Sequence, residues 1–210
     1  MISGIIFDLD GVLCSTDVYH YQAWKMIAED IGVSFTEADN AGLRGVSRMD
    51  SLNILLGGRA ALYTMQEKEL LAERKNILYR QMLSQMTEHD IAPDVREMLR
   101  KMKTKYRLGI GSSSKNTGYI LAQTKIEAFF DAVADGNEIK NSKPDPEVFL
   151  LAARKLSLRP EECVVVEDAP AGIEAAKAGG FISVALGKYV EQCRADFHIR
   201  QVTELMGILL

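Results

Sequence analysis

Only three cysteines occur in the 210 residues, and Cys14, Cys163 and Cys193 lie far apart. They make no CxxC pair and no metal-ligand spacing, which excludes a disulfide scaffold or thiolate metal site and fits a reduced, cytoplasmic setting. No run of about 18 apolar residues appears, and no basic segment followed by an apolar one opens the chain, so neither a spanning helix nor a secretory leader is expected. Lysine and arginine are not clustered and the formal net charge is −4, which argues against a nucleic-acid or anionic-membrane surface. There is no internal repeat, no low-complexity tract, no GxxxxGK[ST] loop and no complete GxGxxG. What remains is 47% hydrophobic and 26% charged. That is ordinary soluble composition, sufficient for one full core and a smaller appended domain. A monomer is the default expectation. Cys163 opens an apolar run and reads as a small core residue. Cys14, near an acidic loop, reads as packing before it reads as a redox group.

Apolar runs suited to buried parallel strands occur at 2–9, 106–111, 132–134, 163–166 and 182–186. Helical patterns at 95–105, 117–124, 146–156 and 171–178 lie between the later ones. Strands alternating with helices predict an α/β fold, a doubly wound, Rossmann-like parallel sheet with right-handed crossovers. Pro146 and Pro170 suit helix starts, and Gly179-Gly180 suits a helix end. Between the first strand and the second lie about ninety residues, far more than a crossover requires. They carry only helical pattern, at 17–31, 36–41, 47–56 and 63–86. The expected division is a core of 1–14 and 88–210 with an inserted α-helical cap of 15–87. The cap is expected over the carboxyl ends of the strands, where open α/β sheets bind ligands.

Four segments place chemistry at those ends. Ile5-Ile6-Phe7-Asp8-Leu9-Asp10-Gly11-Val12 is an apolar run closed by two carboxylates. If the backbone stays extended, residues i and i+2 face one way, and a hard cation such as Mg²⁺ would relieve their repulsion. A carboxylate so placed can attack phosphorus while its neighbour moves protons. The same residues also suit an Asp-Gly turn. Gly109-Ile110-Gly111-Ser112-Ser113-Ser114-Lys115-Asn116 joins a strand to a helix with hydroxyls, N–H groups and a cation, as an anion site would, or as a polar loop with a serine cap would. Ser142-Lys143-Pro144-Asp145-Pro146-Glu147 holds a lysine among prolines, either an ammonium for Asp8 and a phosphoryl oxygen or a surface turn. Val164-Val165-Val166-Glu167-Asp168 again ends a buried strand in two acids, which could complete an oxygen cage, although Asp168 could also be a helix cap.

In this order, DxDGV, a strand-ending Ser, Lys-Pro and Glu-Asp resemble the motif set of the haloacid dehalogenase-like phosphotransferase superfamily, across the whole core. The resemblance implies Asp8 as nucleophile, Asp10 as general acid/base, and Ser112 and Lys143 as phosphoryl-oxygen binders. It also implies Mg²⁺ held by Asp8, the Asp10 carbonyl, Glu167 and Asp168. Asp10 favours phosphoryl chemistry over C–halogen hydrolysis, since the dehalogenases lack that aspartate.

Within the insert, Tyr19-His20-Tyr21-Gln22-Ala23-Trp24-Lys25, Leu43-Arg44-Gly45-Val46-Ser47-Arg48-Met49-Asp50-Ser51-Leu52 and Arg74-Lys75-Asn76 resemble the β-phosphoglucomutase family. The resemblance implies interconversion of β-D-glucose 1-phosphate and glucose 6-phosphate through an aspartyl-phosphate and β-glucose 1,6-bisphosphate. A Mg²⁺-dependent sugar-phosphate phosphatase is the rival, and a non-catalytic phosphosugar-binding protein a third reading. Substrate contacts are expected from His20, Trp24, Arg44, Gly45, Val46, Ser47, Arg48, Ser51, Lys75, Ser113, Ser114, Lys115 and Asn116. A guanidinium such as Arg48 grips phosphate bidentately, and Trp24 offers a sugar a flat face, although it could equally be cap core. Three residues depart from the family: Ser15 where an acid is common, Arg44 where lysine is, and Ala169 where serine often follows Glu-Asp. The tail after Gly187 is expected to be structural only.

Overall fold

The computed structural model describes residues 1–210. They fall into two compact units, 1–15 with 86–210, and 16–85. The boundary expected after residue 14 and before residue 88 thus sits one and two residues away. No helix is long and apolar enough to cross a membrane.

The first unit is built on six parallel strands: β1 (Gly4–Phe7), β2 (Arg107–Gly111), β3 (Ala132–Ala134), β4 (Cys163–Glu167), β5 (Ile182–Leu186) and β6 (Phe197–Ile199). Their order is β3-β2-β1-β4-β5-β6. Strand order therefore reverses beside β1, and the crevice at such a switch point is where doubly wound sheets hold ligands. β1 and β4 are buried along their whole length, which is why they read as unbroken apolar runs rather than alternating ones. Helices α5 (Pro93–Met102), α6 (Thr117–Thr124), α7 (Glu147–Lys155) and α8 (Pro170–Ala178) make the crossovers. The core on one side joins Ile6 and Val165 of the sheet to Val148, Phe149 and Ala152 of α7 and Ala175 and Ala176 of α8. Pro170 opens α8 as expected. At its other end Gly180 adopts φ +79° and the Phe181 N–H returns to the Ala176 carbonyl. β6 and a short terminal helix α9 (Leu205–Leu209) go beyond the elements that the sequence pattern predicts. The tail extends the sheet and is tied back by Tyr106 Oη, which donates to the Leu209 carbonyl at 2.6 Å.

The second unit is all helical: α1 (Asp17–Asp30), α2 (Glu37–Ala41), α3 (Arg48–Leu56), a 3₁₀ turn (Gly57–Leu62) and α4 (Met65–Leu83). Thr64 caps α4, with Glu67 closing the reciprocal capping box, and Thr36 and Asp39 do the same for α2. Its core gathers Trp24, Ile27, Ala28, Leu52, Leu55, Leu56 and Ala72.

Candidate active site

Asp8 leaves β1 with its N–H donated to the Val166 carbonyl of β4 at 3.0 Å. Ser112 leaves β2, on the other side of β1, with its N–H donated to the Ala134 carbonyl at 3.1 Å. Glu167 ends β4 and Asp168 follows it. Four of the sequence-marked residues therefore stand at the same edge of three adjacent strands. Lys143 arrives from the loop before α7, after which the Lys143–Pro144 peptide is cis. Its ammonium donates to Asp8 Oδ1 at 2.5 Å and to Glu167 Oε1 at 2.6 Å, and lies 4.6 Å from the centre of the Phe149 ring. Only 1% of the Lys143 side chain is exposed.

Charge at this site is crowded. Burial pushes the Asp8 carboxyl up to about 7; Lys143 opposes this, while Glu167 and Asp10 add to it. Lys143 thus favours the ionised carboxylate, while desolvation and the neighbouring acids act against it. Burial works against the Lys143 charge as well, yet Asp8 and Glu167 together hold its pKa above the ordinary lysine value.

The chain bends at Leu9 rather than staying extended. Strand alternation is therefore not what relates Asp8 to Asp10. A tight loop does so, in which Asp10 bridges to Cys14 and the Gly11 N–H donates to the Cys14 carbonyl at 2.7 Å. Gly11 has φ +89°, and a Cβ there would collide with the Asp168 carboxylate. Only glycine allows these two segments to close on each other. Burial, with Asp10 and Asp8 nearby, pushes the Cys14 thiol pKa well up, so it is a packed thiol and not a redox group.

The donor set suits a hard divalent cation: two buried carboxylates, Asp8 and Asp168, beside a carbonyl-bearing loop, with one lysine to offset several acids. The fourth expected ligand has other work. Glu167 gives Oε1 to Lys143 and Oε2 to the Ala169 N–H at 2.8 Å, and no three His, Cys, Asp or Glu side chains converge by themselves on a metal position. Asp168 is not the cap of α8, since Ala169 holds that position.

In the loop after β2, Ser112 Oγ accepts from the Ser114 N–H at 3.3 Å and Ser114 Oγ from the Asn116 N–H at 3.2 Å. The Ser113 hydroxyl is buried with no hydrogen-bond partner. Lys115 is exposed and Asn116 buried.

In the helical unit, Lys75 and Tyr79 are four apart on α4, and His20 and Trp24 are four apart on α1, so each pair shares a face. Lys75 Nζ lies 2.8 Å from His20 Nδ1, 4.4 Å from the Tyr79 ring centre and 5.1 Å from that of Trp24. Burial, then Lys75 and Arg48, keep the His20 pKa well below its ordinary value. The imidazole is neutral, and Nδ1 accepts from the ammonium. Tyr79 Oη donates to Thr16 Oγ1 at 2.8 Å and its ring lies 4.1 Å from that of His20. Trp24 is buried in the unit's core, the alternative that the sequence left open beside a sugar-stacking face. Arg48 lies 3.6 Å from Glu73, and Arg44 is ion-paired with Asp17. Ser47 caps α3 through the Asp50 N–H; Gly45 has φ +74°, the Val46 N–H returns to the Leu43 carbonyl, and Ser51 is buried.

Residues 2–180 match the model of the haloacid dehalogenase-like hydrolases. The chain belongs to that family. It is 39% identical over its full length to a β-phosphoglucomutase of Bacillus subtilis, covering 94% of that protein. It is 32% identical to a phosphorylated carbohydrates phosphatase of Thermotoga maritima, with 85% of this chain and 82% of the relative aligned. A crystal structure of β-phosphoglucomutase from Clostridium difficile superposes with TM-score 0.93 at 36% identity, over 98% of this chain and 93% of that one. The chain is thus a member of the β-phosphoglucomutase branch, whose enzymes generally use a divalent metal and phosphorylated sugars. Sequence reasoning singled out neither Thr16 nor Tyr79, nor the arm that Glu167 lends Lys143. Tyr79 had a signal, its spacing from Lys75, but Thr16 had none.

Proposed function

We propose that the chain interconverts β-D-glucose 1-phosphate and glucose 6-phosphate by passing a phosphoryl group through Asp8. The observation that carries this reading is Asp8 itself, buried at the end of β1, hydrogen-bonded to Lys143, and followed two residues later by a second aspartate. The 6-hydroxyl of β-glucose 1-phosphate gives its proton to Asp10 as its oxygen attacks the phosphorus on Asp8. That yields β-glucose 1,6-bisphosphate and free Asp8. After the bisphosphate turns, an Asp8 oxygen attacks the C1 phosphorus, the bond from phosphorus to the sugar oxygen breaks, and Asp10 returns a proton to that oxygen. Glucose 6-phosphate leaves and Asp8 is phosphorylated again.

Lys143 and Ser112 are assigned to the transferring oxygens, and Ser113, Ser114, Lys115 and Asn116 to substrate phosphate. From the helical unit, Arg48 is assigned a phosphate and His20 and Lys75 sugar hydroxyls. Mg²⁺, held by Asp8, Asp168 and the Asp10 carbonyl, would offset the phosphoryl group's charge. Glu167 supports this set by fixing Lys143.

The test is an assay with β-glucose 1-phosphate, with and without the bisphosphate. Bisphosphate-dependent glucose 6-phosphate supports the mutase. Release of inorganic phosphate without isomerisation supports the phosphatase reading, which the Thermotoga relative keeps in play. Asp8→Asn is expected to abolish phosphorylation of the protein, read by intact mass, and Asp10→Asn to slow turnover while leaving Asp8 chemically intact. Full turnover in either variant removes its assigned role.

A further inference from the structure

The loop after β3, Asp135-Gly136-Asn137, lies directly against the loop that follows β2. The Gly136 N–H donates to the Ser114 carbonyl at 3.1 Å. Asn137 Nδ2 donates to the Lys115 carbonyl at 3.0 Å. A Cβ at Gly136 would collide with the Ser113 carbonyl oxygen and come within 3.1 Å of the Ser114 carbonyl carbon. Backbone therefore packs on backbone with no room for a side chain. Three successive carbonyls, of Ser113, Ser114 and Lys115, are faced from one side.

Asn137 is itself held in place. Asp135 Oδ1 accepts the Asn137 N–H at 2.8 Å and Asp135 Oδ2 accepts from Asn137 Nδ2 at 3.2 Å. Both amide hydrogens of Asn137 are thereby used, one within its own turn and one across to Lys115. In a planar trans peptide the N–H points opposite the preceding carbonyl. With the Ser114 carbonyl turned toward Gly136, the Lys115 N–H is projected the other way. The neighbouring Asn116 N–H is taken by Ser114 Oγ.

We infer that Asn137 is a positioning residue for substrate phosphate: by holding the Lys115 carbonyl, it fixes the backbone of Ser114, Lys115 and Asn116 from which their side chains reach that phosphate. This rests on the assignment of those three residues to a substrate phosphate. Asn137 touches no substrate and acts through the loop alone. The amide is required because its donor reaches a carbonyl; a carboxylate in its place would put negative charge against that oxygen.

Asn137→Ala and Asn137→Asp are compared with the wild-type protein by calorimetric titration with glucose 6-phosphate and by turnover of β-glucose 1-phosphate. Hydrolysis of 4-nitrophenyl phosphate, which offers one phosphate and no sugar, is measured alongside. Affinity for glucose 6-phosphate is expected to fall about tenfold in both variants, as KM rises with kcat within about twofold. Hydrolysis of 4-nitrophenyl phosphate is expected to stay unchanged. Wild-type affinity in either variant, or absence of glucose 6-phosphate binding by the wild type, overturns the inference. So does an equal loss with both substrates accompanied by a lower Tm, the mark of a loop that merely supports the fold. If the wild type binds but does not isomerise, the mutase reading fails while weaker binding by the variants still upholds the role of Asn137.

Discussion

Glu167 holds Lys143 at 2.6 Å with one carboxylate oxygen and the Ala169 N–H at 2.8 Å with the other. It thereby ties the lysine that contacts Asp8 to the start of α8. All three charged groups are buried.

Glu167→Ala removes one of two anions facing a buried ammonium. Breaking a buried pair costs about 3–5 kcal/mol when a charge is left alone, and Asp8 remains, so about 2–3 kcal/mol is expected here. Turnover is expected to fall about 10- to 100-fold, as for other supporting shells. Glu167→Gln is expected to recover most of the stability and less of the rate, because a neutral amide still fills the site. Urea unfolding and steady-state assay of both variants check this. Equal rates in the Glu167→Gln variant and the wild-type protein would remove the charge from the argument.

Gly11→Ala adds a Cβ where the Asp168 carboxylate lies and forces a side chain onto φ +89°. The backbone penalty alone is about 1–2 kcal/mol. Displacing Asp168 is expected to raise the Mg²⁺ concentration needed for half-maximal activity about tenfold or more. Metal titration of activity measures it; an unchanged midpoint would detach Asp168 from the metal.

Asp196 accepts both the N–H and the hydroxyl of buried Ser183, at 2.8 and 2.7 Å. Those bonds hold its carboxyl below the ordinary range. A lowered native pKa contributes stability above the unfolded value, and that stability is lost as pH falls through the native one. Asp196→Ala leaves the Ser183 hydroxyl without this acceptor and is expected to cost about 1–2 kcal/mol at pH 7. The difference from wild type is expected to shrink below about pH 4, near the unfolded carboxyl value. Unfolding curves across pH 3–7 decide it, and a pH-independent difference would contradict the assignment.

Cys14 and Cys163 are buried, and burial pushes both thiols upward, Cys163 to about 12. Cys193 is partly exposed. A thiol reagent is therefore expected to label one cysteine in the native protein, Cys193, and three in denaturant. Peptide mapping identifies the labelled site, and native labelling at Cys14 would show the loop from Asp10 to Cys14 to be open.

Much of the core was legible because its chemistry ends apolar runs. Asp8 and Glu167 each close a fully buried strand, and Ser112 follows a third. Lys143 was legible only as a lysine between turn formers, since its partner Asp8 lies 135 residues away. Trp24 stayed undecided in the sequence because an aromatic on an amphipathic helix suits a core and a sugar equally well. Burial, not sequence, separates the two. The strand Phe197–Ile199 was missed because His198 interrupts its apolar residues and two of its three side chains are exposed, so no apolar run marks it. Asn137 carried no motif, and its function appears only where β3 places its loop against the carbonyls of Lys115 and its neighbours.

Local chemistry thus determined the elements, the alternation of strand and helix, and which residues could bear phosphoryl transfer, because hydrophobic period and turn residues act over a few positions. Tertiary structure decided the partnerships. The pairing of Lys143 with Glu167, the close approach of Asp168 to Gly11, the raised pKa of Asp8 and the grip of Asn137 on Lys115 all depend on distance and burial. Those quantities exist only once the strands have been ordered side by side.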